Sequence, residues 1–292
     1  MVVIPGNHSY ICDLLVPYLK IGGILSMTKP IIILKIGGSL IAPKTAKKPT
    51  VDFKTLKRIC MEIGSAYKKI KNKKNLVIVH GAGNFGHLIA ARTGIHRGIK
   101  SEKNLIDFAE TQRLQNQLNV IVTKELIKND VPAFPFQSSG HAVMEKGRLK
   151  KFSLAAINQL LKTGVVPVAY GVPACDIHQG CSILSGDEIV PYLAKRLKAK
   201  EIIHATDVDG VFTIDPKKSR KARLIRMITR KNFYSVKKAL SGSLGVDVTG
   251  GMKEKVSLLS LRVRAQIING KKNNLIKNAI LGKSKQGTVI EL

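Results

Sequence analysis

Residues 76–90 read Leu-Val-Ile-Val-His-Gly-Ala-Gly-Asn-Phe-Gly-His-Leu-Ile-Ala, and the rest of the chain is best interpreted around this stretch. Its four leading apolar residues predict a buried strand, and the apolar pattern resumes as a helix after a turn that contains Gly81, Gly83 and Gly86. Glycines let a ligand approach the backbone, and N–H groups at a helix N-terminus favour an anion, typically a phosphate. His87 ends the loop, where its imidazole could face that anion. The stretch therefore predicts an anion site between a strand and a helix.

Length and composition fit an α/β protein of one large or two modest lobes. The chain has 292 residues, of which 44% are hydrophobic and 5% aromatic, so it can bury a large core. Its four cysteines lack the C-x-x-C spacing of zinc or redox sites and are too few for a disulfide scaffold, which favours a reducing cytoplasm. No apolar run reaches the roughly 18 residues that a membrane-spanning helix needs, so membrane insertion is not expected.

The net charge of +30 at pH 7 has two interpretations. Lysine and arginine can bind nucleic acid or an anionic membrane by releasing counterions, and they can also keep a protein soluble and attract anionic substrates. Residues 217–238 carry ten Lys and Arg and no acid, but interleaved apolar residues indicate folded structure rather than a tail. The second interpretation is favoured, and a nucleic acid is not expected as a partner.

A second glycine loop follows the strand predicted at residues 31–36. This strand carries Lys35 and leads into Gly37, Gly38 and Ser39, so an ammonium group, backbone N–H groups and a hydroxyl lie where open α/β sheets bind ligands. The loop lacks the G-x-x-x-x-G-K-[ST] spacing of a Walker loop. A glycine turn beside surface lysines is the structural alternative.

Polar groups also follow predicted strands and begin helices in the second half. Asp187 starts an amphipathic helix, where a carboxylate could simply favour the helix dipole. Asp207 and Asp209 follow the strand at residues 201–206 and could contact a nucleotide, a metal or their own backbone. Gly171 follows the strand at residues 165–169 and allows a close backbone approach. Lysine and glycine at another predicted helix start add further candidates, namely Gly250, Gly251 and Lys255.

The alternation of strands and helices predicts an open, mainly parallel, doubly wound sheet. Residues 105–129 have helical apolar spacing, and residues 131–136 predict a strand that Pro132 and Pro135 confine to an edge or an irregular course. Residues 1–26 lack the basic start and cleavage site of a signal peptide and form a leader of doubtful role, whereas Met27 resembles a natural start.

Five motifs in a fixed order carry a family resemblance. Over about residues 27–292 the chain resembles the amino acid kinase superfamily, and within it the isopentenyl phosphate kinases. The histidine after Gly-x-Phe-Gly points to that branch, and Ala82 departs from the third glycine that the family usually has. The motifs are Lys35-Ile-Gly-Gly-Ser39, His80-Gly-Ala-Gly-Asn-Phe-Gly-His87, Ser185-Gly-Asp187, Ala205-Thr-Asp-Val-Asp-Gly210 and Asp247-Val-Thr-Gly-Gly-Met-Lys-Glu-Lys255.

The resemblance implies an α/β/α sandwich with an acceptor-binding N-terminal lobe, residues 27–174, and an ATP-binding C-terminal lobe, residues 175–292. It implies transfer of the γ-phosphoryl group of MgATP to isopentenyl phosphate, in an alternative mevalonate route, by a cytoplasmic homodimer. Two alternatives remain open: a kinase of the same fold acting on another small phosphate or phosphonate, such as a fosfomycin-type kinase, and a basic nucleic-acid-binding protein on a kinase scaffold.

The resemblance also implies roles for individual residues, with ATP and Mg²⁺ as cofactors and no side chain assigned as a metal ligand. The prenyl tail is expected against the helical stripe at residues 105–118. The residues expected to be catalytic are His87, Lys44, Lys35, Asp187 and Lys255. Those expected to bind ATP are Lys35, Gly37, Gly38, Ser39, Gly83, Asp187, Asp207, Asp209, Gly250, Gly251 and Lys255. Those expected to bind the acceptor are Ala82, Gly86, His87 and Gly171.

Overall fold

The structure, a computed structural model, describes residues 29–43, 46–214, 216, 219–241, 252, 255–256 and 263–292. The leader, Lys44, Gly250 and Gly251 lie outside these residues. The strands are β1 (Ile31–Ile36), β2 (Asn75–His80), β3 (Ala133–Pro135), β4 (Ala142–Glu145), β5 (Arg148–Phe152), β6 (Val166–Tyr170), β7 (Val172–Asp176), β8 (Gly180–Leu184), β9 (Glu201–Thr206), β10 (Val211–Phe212), β11 (Leu224–Ile225), β12 (Met227–Thr229), β13 (Arg264–Asn269) and β14 (Thr288–Glu291). The α-helices are α1 (Gly38–Ile41), α2 (Phe53–Ile70), α3 (Asn84–Thr93), α4 (Glu102–Ile127), α5 (Ala155–Lys162), α6 (Gly186–Arg196), α7 (Phe233–Ser241) and α8 (Leu275–Ile280), with short 3₁₀ helices at Ile95–Arg97 and Ser138–Gly140.

Eight strands form one sheet in the order β12-β14-β13-β9-β1-β2-β6-β3. Neighbouring strands are parallel except β13 and β14, which are antiparallel, so the predicted open and mainly parallel sheet is confirmed. β3 lies at one edge, as Pro132 and Pro135 predict, because proline has no N–H group to donate to a neighbouring strand. β1 lies near the centre between β2 and β9.

Successive side chains of β1 pack against helices on opposite faces of the sheet. Leu34 and Ile36 belong to a buried cluster with residues of α2, α4 and α8. Ile33 belongs to a second cluster with residues of α5, α6 and α7. Each fully buried aliphatic side chain contributes on the order of 1.5–3 kcal/mol, so both helical layers are held by apolar burial. This arrangement confirms the predicted α/β/α sandwich.

A second, four-stranded sheet with the order β5-β4-β7-β8 has no counterpart in the sequence-based prediction. Its strands are short, and β4 pairs with β5 and β7 with β8 as antiparallel hairpins. The predicted lobe boundary between residues 174 and 175 falls inside β7, and the large sheet runs through both lobes. The division into two lobes stays a prediction.

The basic block at residues 217–238 contributes regular structure in its described part. β11 pairs with β10, β12 pairs with β14, and α7 begins at Phe233. Ile228 of β12 and Val236 of α7 are buried in the core. The described part of the block is therefore folded structure rather than a tail, as predicted, although Met227 and Tyr234 are exposed. Within the described ranges, no helix is both long and apolar enough to cross a membrane.

Candidate functional site

The candidate site lies at the carboxyl ends of the central strands, where loops follow each strand at the same level. The Gly37 N–H donates to the Ala205 carbonyl at 2.8 Å, and the Gly81 N–H donates to the Ile36 carbonyl at 3.0 Å. The Gly171 N–H continues the ladder by donating to the His80 carbonyl at 3.0 Å. Because these bonds extend the strand pairing by one residue, loops from distant parts of the chain open onto one cleft.

The two glycine loops pack directly against each other. A Cβ atom added at Gly38 would lie 2.3 Å from the Gly83 backbone nitrogen, and one at Gly81 would lie 2.7 Å from the Gly38 nitrogen. Gly83 also has a φ of +52°, which L side chains rarely adopt. Glycine is therefore required here by backbone packing, and the two loops form one continuous surface.

Asp187 is the centre of a buried charge cluster. The Ser185 hydroxyl accepts from the Glu188 N–H at 3.1 Å in a capping box, which begins α6 and sets Asp187 in its first turn. Lys35 Nζ lies 2.8 Å from Asp187 Oδ1, and Lys255 Nζ lies 3.0 Å from both carboxylate oxygens. Asp187 thus holds two ammonium groups, so the carboxylate does more than favour the helix dipole.

The charges of this cluster stabilise one another. Burial alone would raise the pKa of Asp187, but the ammonium groups of Lys35 and Lys255 outweigh it and hold this pKa well below its usual range. Burial lowers the pKa of Lys35 to about 8, and the charge of Asp187 opposes that shift. At neutral pH the cluster carries two cations and one anion, which leaves net positive charge facing the cleft.

His80 supports the glycine loop from below. Asn119 Nδ2 donates to His80 Nε2 at 3.0 Å, and His80 Nδ1 lies 3.1 Å from the Gly81 carbonyl oxygen. This arrangement places the imidazole proton on Nδ1, which donates to Gly81. The ring also stacks on Tyr170, with centroids 5.5 Å apart. His80 is therefore a structural residue of the loop.

We expect this buried histidine to make the free energy of unfolding depend on pH. Burial lowers the pKa of His80 from 6.5 to about 4. The unfolded chain therefore binds the proton first as pH falls below 6.5, and stability is lost towards pH 4. A fall from pH 7 to pH 5 should remove about 2 kcal/mol through His80, measured by urea unfolding.

The matching control separates His80 from other titrating groups. His80→Asn should shrink the difference between the pH 7 and pH 5 unfolding free energies by about 2 kcal/mol. His178→Asn, at an exposed histidine, should keep the full difference. An unchanged difference in His80→Asn would show that His80 is not held neutral.

A cavity of about 610 Å³ joins the charge cluster to the glycine loops. Asp209 does not line it, because its carboxylate accepts from Asn269 at 2.9 Å and pairs with Lys272 at 2.8 Å. Of the residues named from the sequence, those that line the cavity are Lys35, Gly37, Gly38, Ser39, Ala82, Gly83, Gly86, His87, Gly171, Asp187, Asp207 and Lys255.

The wall beyond His87 contains residues that sequence reasoning missed. Gln115 is the residue of α4 that lines the cavity, whereas Leu118 packs in the core and Leu105 is exposed, so the expected apolar stripe does not form this wall. The buried face of α4 near the cavity is polar, with Thr111 and Gln115 on it. The sequence signal that could have identified Gln115 is a polar residue that interrupts a helical apolar stripe.

Arg148 also lines the cavity and comes from the unpredicted second sheet. Its loop is held by Asp176, which accepts the Gly147 N–H at 2.8 Å and the His178 N–H at 2.9 Å. These backbone hydrogen bonds outweigh the effect of burial and lower the pKa of Asp176 to about 2. The Asp176 carboxylate thus stays ionised and holds the turn in place. Arg148, beside this turn, adds a cation to the wall of the cleft.

Comparisons with known proteins identify the family of the chain. The model of the amino acid kinase family matches residues 30–268. An isopentenyl phosphate kinase of Methanocaldococcus jannaschii is 41% identical over 265 residues, which cover 89% of this chain and 98% of that protein. One from Methanothermobacter thermautotrophicus is 37% identical over 269 residues, with the same coverage of 89% and 98%.

A solved structure extends the agreement to three dimensions. An X-ray structure of an isopentenyl phosphate kinase superposes with a TM-score of 0.73 at 34% identity and covers 89% of this chain and 99% of its own. The resemblance inferred from the five motifs is thereby confirmed. On its sequence and its fold, this chain belongs to the amino acid kinase family.

Proposed function

We propose that the protein transfers the γ-phosphoryl group of MgATP to isopentenyl phosphate and releases isopentenyl diphosphate and ADP. The observation that carries this proposal is that one cavity connects the Lys35–Asp187–Lys255 cluster with the glycine loop that ends at His87. The first part suits the phosphates of a nucleotide, and the second suits a phosphate monoester. The two relatives described above are named isopentenyl phosphate kinase, which agrees with this reaction.

Charge neutralisation is the main demand of such a reaction. Two unit charges about 4 Å apart repel by about 4 kcal/mol at an effective dielectric constant near 20, and an anionic acceptor must approach an anionic donor. Lys35 and Lys255 lie at the cavity wall as cations, and Arg148 lines the same cavity. Phosphoryl transfer asks a protein chiefly for positioning and electrostatic stabilisation. The cleft supplies both.

The bond changes need no general base. A phosphate oxygen of isopentenyl phosphate attacks the γ-phosphorus, and the bond between that phosphorus and its bridging oxygen breaks, leaving the electron pair on ADP. His87, in the first turn of α3, donates to the acceptor phosphate, and the backbone N–H groups of the loop add to it. Asp187 orients the two lysines towards the nucleotide. Lys44 is proposed to stabilise the transferring group.

The hydrocarbon part of the acceptor is proposed to contact a cavity wall that contains both apolar and polar side chains. Ala90, Val172 and Ile183 contribute apolar surface to the cavity, and Gln115 lies near the loop. A short branched hydrocarbon tail buries apolar area against such residues and requires no polar partner. This supports a small prenyl phosphate rather than an amino acid as the acceptor.

Mg²⁺ is proposed to arrive with the nucleotide as part of the substrate MgATP. Among the described residues, no group of three or more His, Cys, Asp or Glu side chains could hold a metal ion. Phosphate oxygens are the ligands that Mg²⁺ takes in many nucleotide sites, and it keeps several waters there. The ion therefore needs no cage of protein side chains.

We also propose a cytoplasmic homodimer. Phe134 on the edge strand β3 is 46% exposed, and Val120 and Ile127 on α4 are 57% and 56% exposed, so apolar surface is open at that edge. Three described cysteines are free thiols, Cys60, Cys175 and Cys181, which suits a reducing compartment. Light scattering tests the dimer, and a mass near 31.9 kDa would contradict it.

A coupled ADP-release assay tests the proposed reaction. Purified protein with MgATP is offered isopentenyl phosphate, dimethylallyl phosphate, fosfomycin, acetylglutamate or UMP, and Asp187→Ala serves as the inactive control. We expect kcat/KM for the prenyl phosphates to exceed the others by at least about 100-fold. Turnover confined to fosfomycin or UMP would assign a different acceptor to the same fold. RNA binding at physiological salt without any turnover would favour the nucleic-acid alternative.

A further inference from the structure

His204 is a buried polar residue that the proposed reaction does not use. It lies on β9, is 1% exposed and does not line the cavity. Within the described part of the chain, neither Nδ1 nor Nε2 has a hydrogen-bond partner. Burying a polar ring without partners is unfavourable, and native structures rarely tolerate it without a reason.

The position of His204 ties it to the charge cluster. It pairs in register with Lys35 on β1, so both side chains lie on the face of the sheet that α6 covers. His204 Nδ1 lies 3.8 Å from Asp187 Oδ1, just beyond hydrogen-bond distance. The imidazole thus lies beside the carboxylate, outside the cavity lining.

The ring is neutral in this setting. Burial, followed by the positive charges of Lys35 and Lys255, lowers the pKa of His204 well below 6.5, and the charge of Asp187 opposes this only in part. On the other side, β13 places Ile267 opposite His204 and brings no charge. A neutral imidazole carries one N–H donor and adds no charge to the cluster.

We propose that His204 is a positioning residue that hydrogen-bonds Asp187 when a nucleotide is bound. In the structure the Asp187 carboxylate forms ion pairs with Lys35 and Lys255. A polyphosphate attracts both ammonium groups, which weakens the hydrogen bonds that the carboxylate accepts from them. His204 then donates its Nδ1–H to Oδ1, after a movement of less than about 1 Å, and keeps the carboxylate ionised and oriented.

An uncharged donor suits this task because it leaves the lysines free for the phosphates. The inference rests on the proposed function only in requiring a nucleotide at Lys35 and Lys255, and it does not depend on the acceptor. A residue kept for packing alone predicts a different result for nucleotide binding. Exchanging an unpartnered imidazole for an apolar ring would then leave the nucleotide affinity unchanged, whereas both interpretations expect stability to be kept or raised.

Three variants and a direct spectrum test the proposal. His204→Phe keeps a ring without a donor, His204→Asn places an amide nitrogen near the position of Nδ1, and His204→Gln places it near Nε2. We expect the melting temperature of His204→Phe to be at least that of the wild type. Its Kd for MgADP, measured by calorimetry, should rise about tenfold, with recovery in His204→Asn and none in His204→Gln.

Nitrogen NMR of the wild-type protein labelled at histidine provides a readout that does not depend on whether His204→Phe folds. Adding MgADP should shift the Nδ1 signal of His204, assigned by its loss in His204→Asn, to that of a hydrogen-bonded N–H. Unchanged MgADP affinity in His204→Phe, or an unshifted Nδ1 signal, would overturn the proposal. If wild type binds no MgADP, both proposals fail, whereas binding without phosphorylation of isopentenyl phosphate overturns the proposed function alone.

Discussion

Lys35→Met should lower kcat on isopentenyl phosphate by about 100- to 1,000-fold, the usual cost of removing one preorganised group that stabilises transition-state charge. The Lys35 ammonium is nearly buried and contacts Asp187 at 2.8 Å, so its loss removes a cation and leaves the carboxylate facing the nucleotide with less compensation. Methionine keeps much of the side-chain length and volume. Steady-state kinetics with varied ATP measure the effect.

A pH profile distinguishes this loss of charge from a distorted cleft. Because the pKa of Lys35 is about 8, kcat/KM for ATP should fall as the pH rises through about 8 in the wild type and should lack that limb in Lys35→Met. Lys57→Met removes an equal charge from the exposed face of α2 and should leave both quantities within about twofold. A Lys35→Met enzyme with normal kcat would remove this lysine from the proposed mechanism.

His87→Ala should reduce kcat/KM for isopentenyl phosphate by about 100-fold, the upper range for a hydrogen bond to a charged group. His87 lines the cavity in the first turn of α3, on the loop that also carries Gly83 and Gly86. The imidazole is proposed to contact the acceptor phosphate and not the nucleotide. Calorimetric affinity for MgADP should therefore stay within about threefold of the wild type.

The matched control for His87 is an exposed histidine. His178→Ala removes an imidazole from the turn between β7 and β8, outside the cavity, and should retain wild-type kinetics for both substrates. Equal losses of acceptor and nucleotide affinity in His87→Ala would indicate a collapsed loop. Normal kinetics with isopentenyl phosphate would exclude His87 from the acceptor site.

The sequence by itself determined the layered fold and the first half of the site. Apolar runs followed by glycine predicted β1 and β2 with their loops, because burial on both faces and close backbone approach leave a local signature. Lys35 and His87 were identified for the same reason, since each lies a few residues from such a loop. The family resemblance ordered these motifs into one expected cleft.

Only the tertiary structure decided which residues meet across the chain. Asp187 could have served its own helix, and it became the centre of the cluster because the sheet order brings α6 beside β1 and Lys255. Arg148 reached the cavity through a second sheet of short strands, whose local pattern is weak. Gln115 and His204 likewise gained their positions from packing. Periodicity specifies which face of an element is buried, but contacts between residues far apart in the chain depend on the order of the strands in the sheet, which no local pattern encodes.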